Sequence, residues 1–178
     1  MQKTKNKKAF TLIELLVVMA IIAILSGLGL MGFGTVQQKS RDSRRKQDLA
    51  NISKALDVYY NDYGVYPASN AGGAILGCGA GGAEVCHWGD AWQDDKGTLY
   101  MTALPVDPDV SHTYYYHRLD DHSYYLFARL ENEQDSDIAM SGTTPSFYTD
   151  YFCDGATLGC NYVIMSTNLV SKPLIAPI

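Results

Sequence analysis

The stretch KKAFTLIELLVVMAIIAIL, residues 7–25, decides the fold. From Phe10 to Gly34 the clearly polar side chains are Thr11, Glu14 and Ser26. A helix over those 25 residues would be about 37 Å long, more than the roughly 30 Å hydrocarbon layer of a bilayer. Lys3, Lys5, Lys7 and Lys8 stand ahead of the run. Basic residues before an apolar segment are the front of an export signal, yet this segment is longer than a Sec h-region and no A-x-A site follows it. A plain signal anchor fits the length better. Neither reading explains Glu14. A carboxylate at the centre of a spanning helix costs about 2.5–3.5 kcal/mol, and less near its end, so Glu14 calls for a partner. Cleavage between Ala9 and Phe10 would create one. The new α-amine, with a pKa near 8, lies one helical turn from Glu14 and is equally able to meet the Glu14 of a neighbouring copy. At about 4 Å and an effective dielectric near 20 that pair gains about 4 kcal/mol before desolvation.

These residues carry a resemblance. KKAFTLIELLVVMAIIAIL closely resembles the class III signal of type IV pilins and type II secretion pseudopilins. The resemblance implies that prepilin peptidase cuts between Ala9 and Phe10, that Phe10 is N-methylated, and that Phe10 and Glu14 direct assembly. Ala9 is a departure, since the family mostly has Gly there. Tyr60, Asp62, Gly64, Tyr66 and Pro67 resemble the Y-x-D-x-G-x-Y-P pattern that follows the stalk in major pseudopilins. Pro105, Asp107 and Pro108 resemble the L-P-x-D-P segment before their hairpin. The implied fold is the α+β pilin fold, a long N-terminal helix packed on a small antiparallel sheet. Residues 1–9 would be a cleaved leader, 10–34 the transmembrane and assembly helix, 35–66 an amphipathic stalk helix and 67–178 an extracytoplasmic β head. The implied function is that of a filament subunit of a pilus or secretion pseudopilus. Its partners would be other copies of itself, prepilin peptidase, the inner membrane, and the assembly platform with its ATPase. The alternatives are a DNA-uptake or minor pilin and a monomeric signal-anchored binding module.

The rest of the chain supports a helix followed by strands. Gly27, Gly29, Gly32 and Gly34 each weaken a helix by about 1 kcal/mol relative to Ala; they suit either close helix packing or a point of unwinding. Residues 37–48 contain no apolar side chain, and a helix there would draw on charge pairs such as Asp42 with Lys46. Leu49, Ile52, Leu56, Tyr59, Tyr60 and Tyr63 then recur at helical spacing, and Gly64 and Pro67 end the helix. The basic cluster at 39–46 suggests nucleic acid, anionic headgroups or a subunit face. From Ala55 onward there are 4 basic residues (Lys96, Arg118, Arg129, Lys172) and 16 acidic ones, 4 − 16 = −12, which argues against nucleic acid as the main ligand.

Residues 112–118 and 123–130 read as two strands joined by a turn at 119–122, with a further strand at 161–167. The four cysteines lie beyond the apolar run, and their even count favours disulfides. Of three connectivities, Cys78–Cys86 and Cys153–Cys160 are favoured because each closes a short glycine-containing loop. The run ENEQDSD brings Glu131, Glu133, Asp135 and Asp137 into alternation, a pattern able to gather oxygens around Ca²⁺. Its end at DSDI resembles the calcium loop of major pseudopilins, although the glycines of that site are lacking. Beyond a structural calcium no cofactor is implied. The chain carries no nucleophile elbow, phosphate loop or zinc signature, and His87, His112, His117 and His122 form no motif; it does not read as an enzyme.

Overall fold

In the computed structural model, which describes residues 10–30, 33–154, 159–169 and 171–175, two helices precede nine short strands. Helix α1 is Leu12–Leu30 and α2 is Phe33–Tyr63. The strands are β1 (Ile75–Cys78), β2 (Glu84–Cys86), β3 (Trp92–Gln93), β4 (Leu99–Met101), β5 (Tyr115–Asp120), β6 (Ser123–Ala128), β7 (Met140–Ser141), β8 (Thr144–Pro145) and β9 (Tyr162–Met165). The chain divides into two compact units, residues 1–37 and 38–178.

In the first unit the described apolar side chains of α1 from Leu12 to Leu25 are exposed. Leu12, Ile13 and Leu16 are 88 %, 70 % and 67 % exposed, and Val17, Val18 and Ile21 are exposed as well. The helix is apolar all round rather than along one stripe. The expected 25-residue span does not appear as one described helix. Among the described residues no helix is long and apolar enough to cross a membrane. The 19 residues of α1 extend about 28 Å. Gly32 and the leader residues through Ala9 lie outside the described residues.

In the second unit α2 presents a 3–4 spaced face to a sheet. Leu49, Ile52 and Leu56 are fully buried, Ala55 and Tyr59 nearly so, and Tyr60 and Tyr63 pack at the margin. Each fully buried leucine or isoleucine is worth about 1.5–3 kcal/mol. The helix closes on Gly64, whose φ of 73° is the left-handed cap and whose N–H donates to the Tyr60 carbonyl. The opposing sheet is antiparallel in the order β5-β6-β9. Asp120 faces Ser123 across a tight turn, so the hairpin loop is shorter than the expected 119–122. Strand β6 is buried along its whole length. Tyr124, Leu126 and Ala128 face α2, whereas Tyr125 and Phe127 face a second core with Tyr148, Cys153, Cys160 and Val163. Tyr151 stacks on Phe127 at 4.1 Å between ring centroids.

Two disulfides are formed. Cys78–Cys86 ties β1 to β2 in the glycine-rich stretch, and Cys153–Cys160 lies buried in the second core. Gly73 explains one glycine of the first stretch. Its φ is 79°, and a Cβ there would stand 2.4 Å from the Tyr115 ring.

The buried face of α2 continues past its apolar stripe. Asp42 and Arg45 occupy the next two positions, 2 % and 0 % exposed. The Arg45 guanidinium donates from Nε and Nη2 to Asp107 at 2.8 and 2.7 Å, and from Nη1 to Asp42 at 2.8 Å and Glu131 at 2.7 Å. Asp42 also accepts the backbone N–H groups of Glu131 and Asn132 at 2.9 and 2.8 Å. The expected Asp42–Lys46 pair is therefore replaced. Asp42 serves Arg45, three residues on, and Lys46 reaches Asp135 and Asp137. Asp42 is held by the buried Arg45 and by two loop amides, a setting with little solvent screening, and Lys46 is left to the acids of the loop.

Two outcomes are expected. Arg45→Met leaves three carboxylates without their shared cation and should lower the unfolding free energy by about 3–5 kcal/mol, measured by denaturant titration of the full chain in detergent. The Arg41 and Arg45 side chains hold the Glu131 carboxyl down to about 2, against an ordinary value of 4.5. A depressed carboxyl contributes stability above its unfolded value, and that contribution is lost as pH falls through the folded value. Melting temperature should therefore decline between pH 4.5 and about 2, and Glu131→Gln should flatten that part of the profile.

Candidate assembly segment and acidic loop

Thr11 and Glu14 form a reciprocal cap at the start of α1. The Thr11 N–H and hydroxyl donate to Glu14 Oε2 at 2.9 and 2.8 Å, and the Glu14 N–H lies 3.3 Å from Thr11 Oγ1. With Leu12 as first helical residue, Thr11 is the N-cap and Glu14 the third residue, the T-x-x-E capping box. A carboxylate near a helix N-terminus also meets the positive end of the helix dipole. Glu14 thus has a partner inside its own chain that the charge argument alone overlooks, and the spacing of Thr11 and Glu14 is its sequence signal. A carboxylate offers about four acceptor directions, so the cap leaves capacity for a further donor. Phe10, 86 % exposed, stands beside it; Ala9 lies outside the described residues.

The four acidic residues considered as calcium ligands do not converge. Glu131 turns to α2, where Arg41 Nε donates to Oε1 at 2.7 Å, Arg41 Nη2 binds Oε2, and Arg45 binds Oε1. Glu133 is exposed. Asp135 Oδ1 and Asp137 Oδ2 both accept from Lys46 Nζ, at 2.7 and 2.6 Å. Calcium requires six to eight oxygens. Among the described residues no three His, Cys, Asp or Glu side chains are grouped to hold a metal ion. The donor set does not fit calcium. Three members of the basic cluster at 39–46 are spent in the same contacts. Linear reading misses this, because the partners lie about ninety residues apart.

The histidines are dispersed. Tyr60 meets His122 Nδ1 at 2.9 Å, His112 Nδ1 lies 3.4 Å from Arg45 Nη2, and His117 packs on Tyr151. Asp94 organises the β3–β4 hairpin, accepting from Tyr63, Tyr100 and the N–H groups of Lys96 and Thr98.

Comparison with known proteins follows the same division of the chain. Residues 4–30 match the prokaryotic N-terminal methylation motif, and residues 33–136 match the type II secretion system (T2SS), protein G. The chain is 39 % identical over 69 residues to the fimbrial protein EcpC of Eikenella corrodens, covering 39 % of this chain and 45 % of that one. It is 32 % identical over 72 residues to the type II secretion system core protein G of Escherichia coli, covering 40 % and 50 %. To the core protein G of Vibrio cholerae it is 31 % identical over 125 residues, covering 60 % and 86 %. The chain spans about half the length of the first two of these relatives. No solved structure matches it. The protein G match takes in α2, the β5–β6 hairpin and the acidic loop as far as Ser136. The chain belongs to the type II secretion system protein G family.

Proposed function

We propose that the chain is the structural subunit of a secretion pseudopilus or related pilus-like filament. The observation that carries this reading is α1, a helix with apolar side chains exposed all round and a single carboxylate, Glu14, at its entrance. Packing against identical helices buries that surface and gives Glu14 a cationic partner. The basic leader, residues 1–9, is removed by prepilin peptidase between Ala9 and Phe10, and Phe10 is methylated. Before assembly the apolar segment holds the subunit in the inner membrane with the head outside the cytoplasm. Two disulfides in the head accord with an oxidising compartment. The assembly platform and its ATPase draw the subunit out. In the filament the Phe10 amine of one subunit meets the Glu14 of another. Since Thr11 occupies Oε2 of Glu14, the amine approaches the other carboxylate oxygen.

The competing reading is a monomeric signal-anchored module, in which the capping box is all that Glu14 does. Glu14→Gln separates the two. Gln supports a capping box, so α1 and membrane insertion should persist, and the cleavage site lies upstream. Filament yield should fall about tenfold or more, since the charge pairing is lost and a buried amide is left unmatched. Sheared filament is quantified against processed subunit in the membrane; unchanged yield would restrict Glu14 to its cap. Replacing Ala9 by a bulky residue should block processing, read as the intact mass of the membrane-extracted protein. A mass that starts at methylated Phe10 in that variant would refute the assigned cut.

A further inference from the structure

We propose that the Lys46 ammonium takes the part of a structural divalent cation in the acidic loop, so that the head has no metal requirement. The loop after β6 carries four alternating acids and would repel itself if left without positive charge. Lys46 is placed to supply it. Its Nζ bridges Asp135 Oδ1 and Asp137 Oδ2 at 2.7 and 2.6 Å, and lies 5.5 Å from the centroid of the Tyr162 ring. An ammonium has three donors and no acceptor; two go to carboxylates and the third side meets an aromatic face. Lys46 comes from α2, a rigid helix, and Tyr162 from β9, so the loop is tied at once to both layers of the head.

The anchoring is local as well. Asp135 Oδ1 also accepts the Asp137 N–H at 3.0 Å, and the Ile138 N–H points to the Asp135 carbonyl at 3.5 Å. Ile138 and Ala139 beyond them are buried. A loop held in this way delivers its apolar end to the core. The competing cation would have to displace Lys46 from both carboxylates. It would also have to draw Glu131 away from Arg41 and Arg45, leaving the buried Arg45 short of one partner. Calcium takes six to eight oxygens, and with those pairs kept the carboxylates of Glu131, Asp135 and Asp137 are already engaged by cations of α2.

The test is hydrogen exchange at the amides of Asp135, Asp137 and Ile138 in the detergent-solubilised full chain, with excess EDTA and with added CaCl₂. Wild-type protection should be the same in both. In EDTA, Lys46→Ala should exchange about tenfold faster at these amides. Added calcium should recover protection in that variant, because a divalent ion can enter between carboxylates that have lost their ammonium. Lys46→Arg retains the charge and should remain indifferent to calcium, which keeps the test open if Lys46→Ala folds poorly. Loss of wild-type protection in EDTA overturns the proposal. So does unchanged protection in Lys46→Ala, or a Lys46→Arg variant that needs calcium. Calcium that leaves Lys46→Ala unprotected overturns the equivalence of ammonium and ion.

Discussion

The second unit depends on one buried guanidinium. Arg45 joins three segments that are distant in sequence: α2, the L-P-x-D-P turn through Asp107, and the loop after the hairpin through Glu131. Lysine could not do this. It lacks the planar fork that gives Asp107 two parallel hydrogen bonds while a third donor reaches Asp42 and Glu131. Burying ions is costly, and apolar clusters of the same volume are often as stable or more so. What the ion cluster adds is register. A slide of α2 by one turn would leave Leu49, Ile52 and Leu56 on apolar neighbours at moderate cost, but would strip Asp107 of its cation inside the protein. The hydrophobic stripe sets which face of α2 is buried, and Arg45 sets where along the sheet it stops.

Much of this is legible in the sequence where the signal is local. The 3–4 spacing from Leu49 to Tyr59 marks the buried face, Gly64 its end, and the tyrosine and phenylalanine content of SYYLFA a strand. Both faces of β6 are buried, and its sequence signal is that the run carries aromatic side chains on both sides. The cysteine pairs are close in sequence, and the short glycine-containing loops they close favour them. What stayed hidden was electrostatic and tertiary. A stripe of positions 42, 45, 49, 52, 56 and 59 has an unbroken helical period, but its first two members are charged, and a hydropathy reading ends the stripe at Leu49. Likewise ENEQDSD looks like a cation site until the cations from α2 are placed against it. No local pattern tells an acidic loop waiting for an ion from one already paired across about ninety residues.

The two groups of carboxylates therefore serve different ends. Glu131, Asp135, Asp137 and Asp42 are committed inside the unit that contains them, each facing an arginine or lysine on α2. Such acids have little left with which to bind another subunit, and removing their partners is felt as stability. Glu14 is the opposite case. Its donors are a hydroxyl and a backbone N–H, neutral groups that satisfy one oxygen and leave the charge uncompensated. A neutral cap steadies the helix entrance without neutralising it. In apolar surroundings an uncompensated carboxylate is a standing drive toward any cation that can approach, and under the function we propose the α-amine released by cleavage would be that cation. The cap holds the helix end in the single subunit, and in the proposed filament the same side chain would draw a second subunit into register.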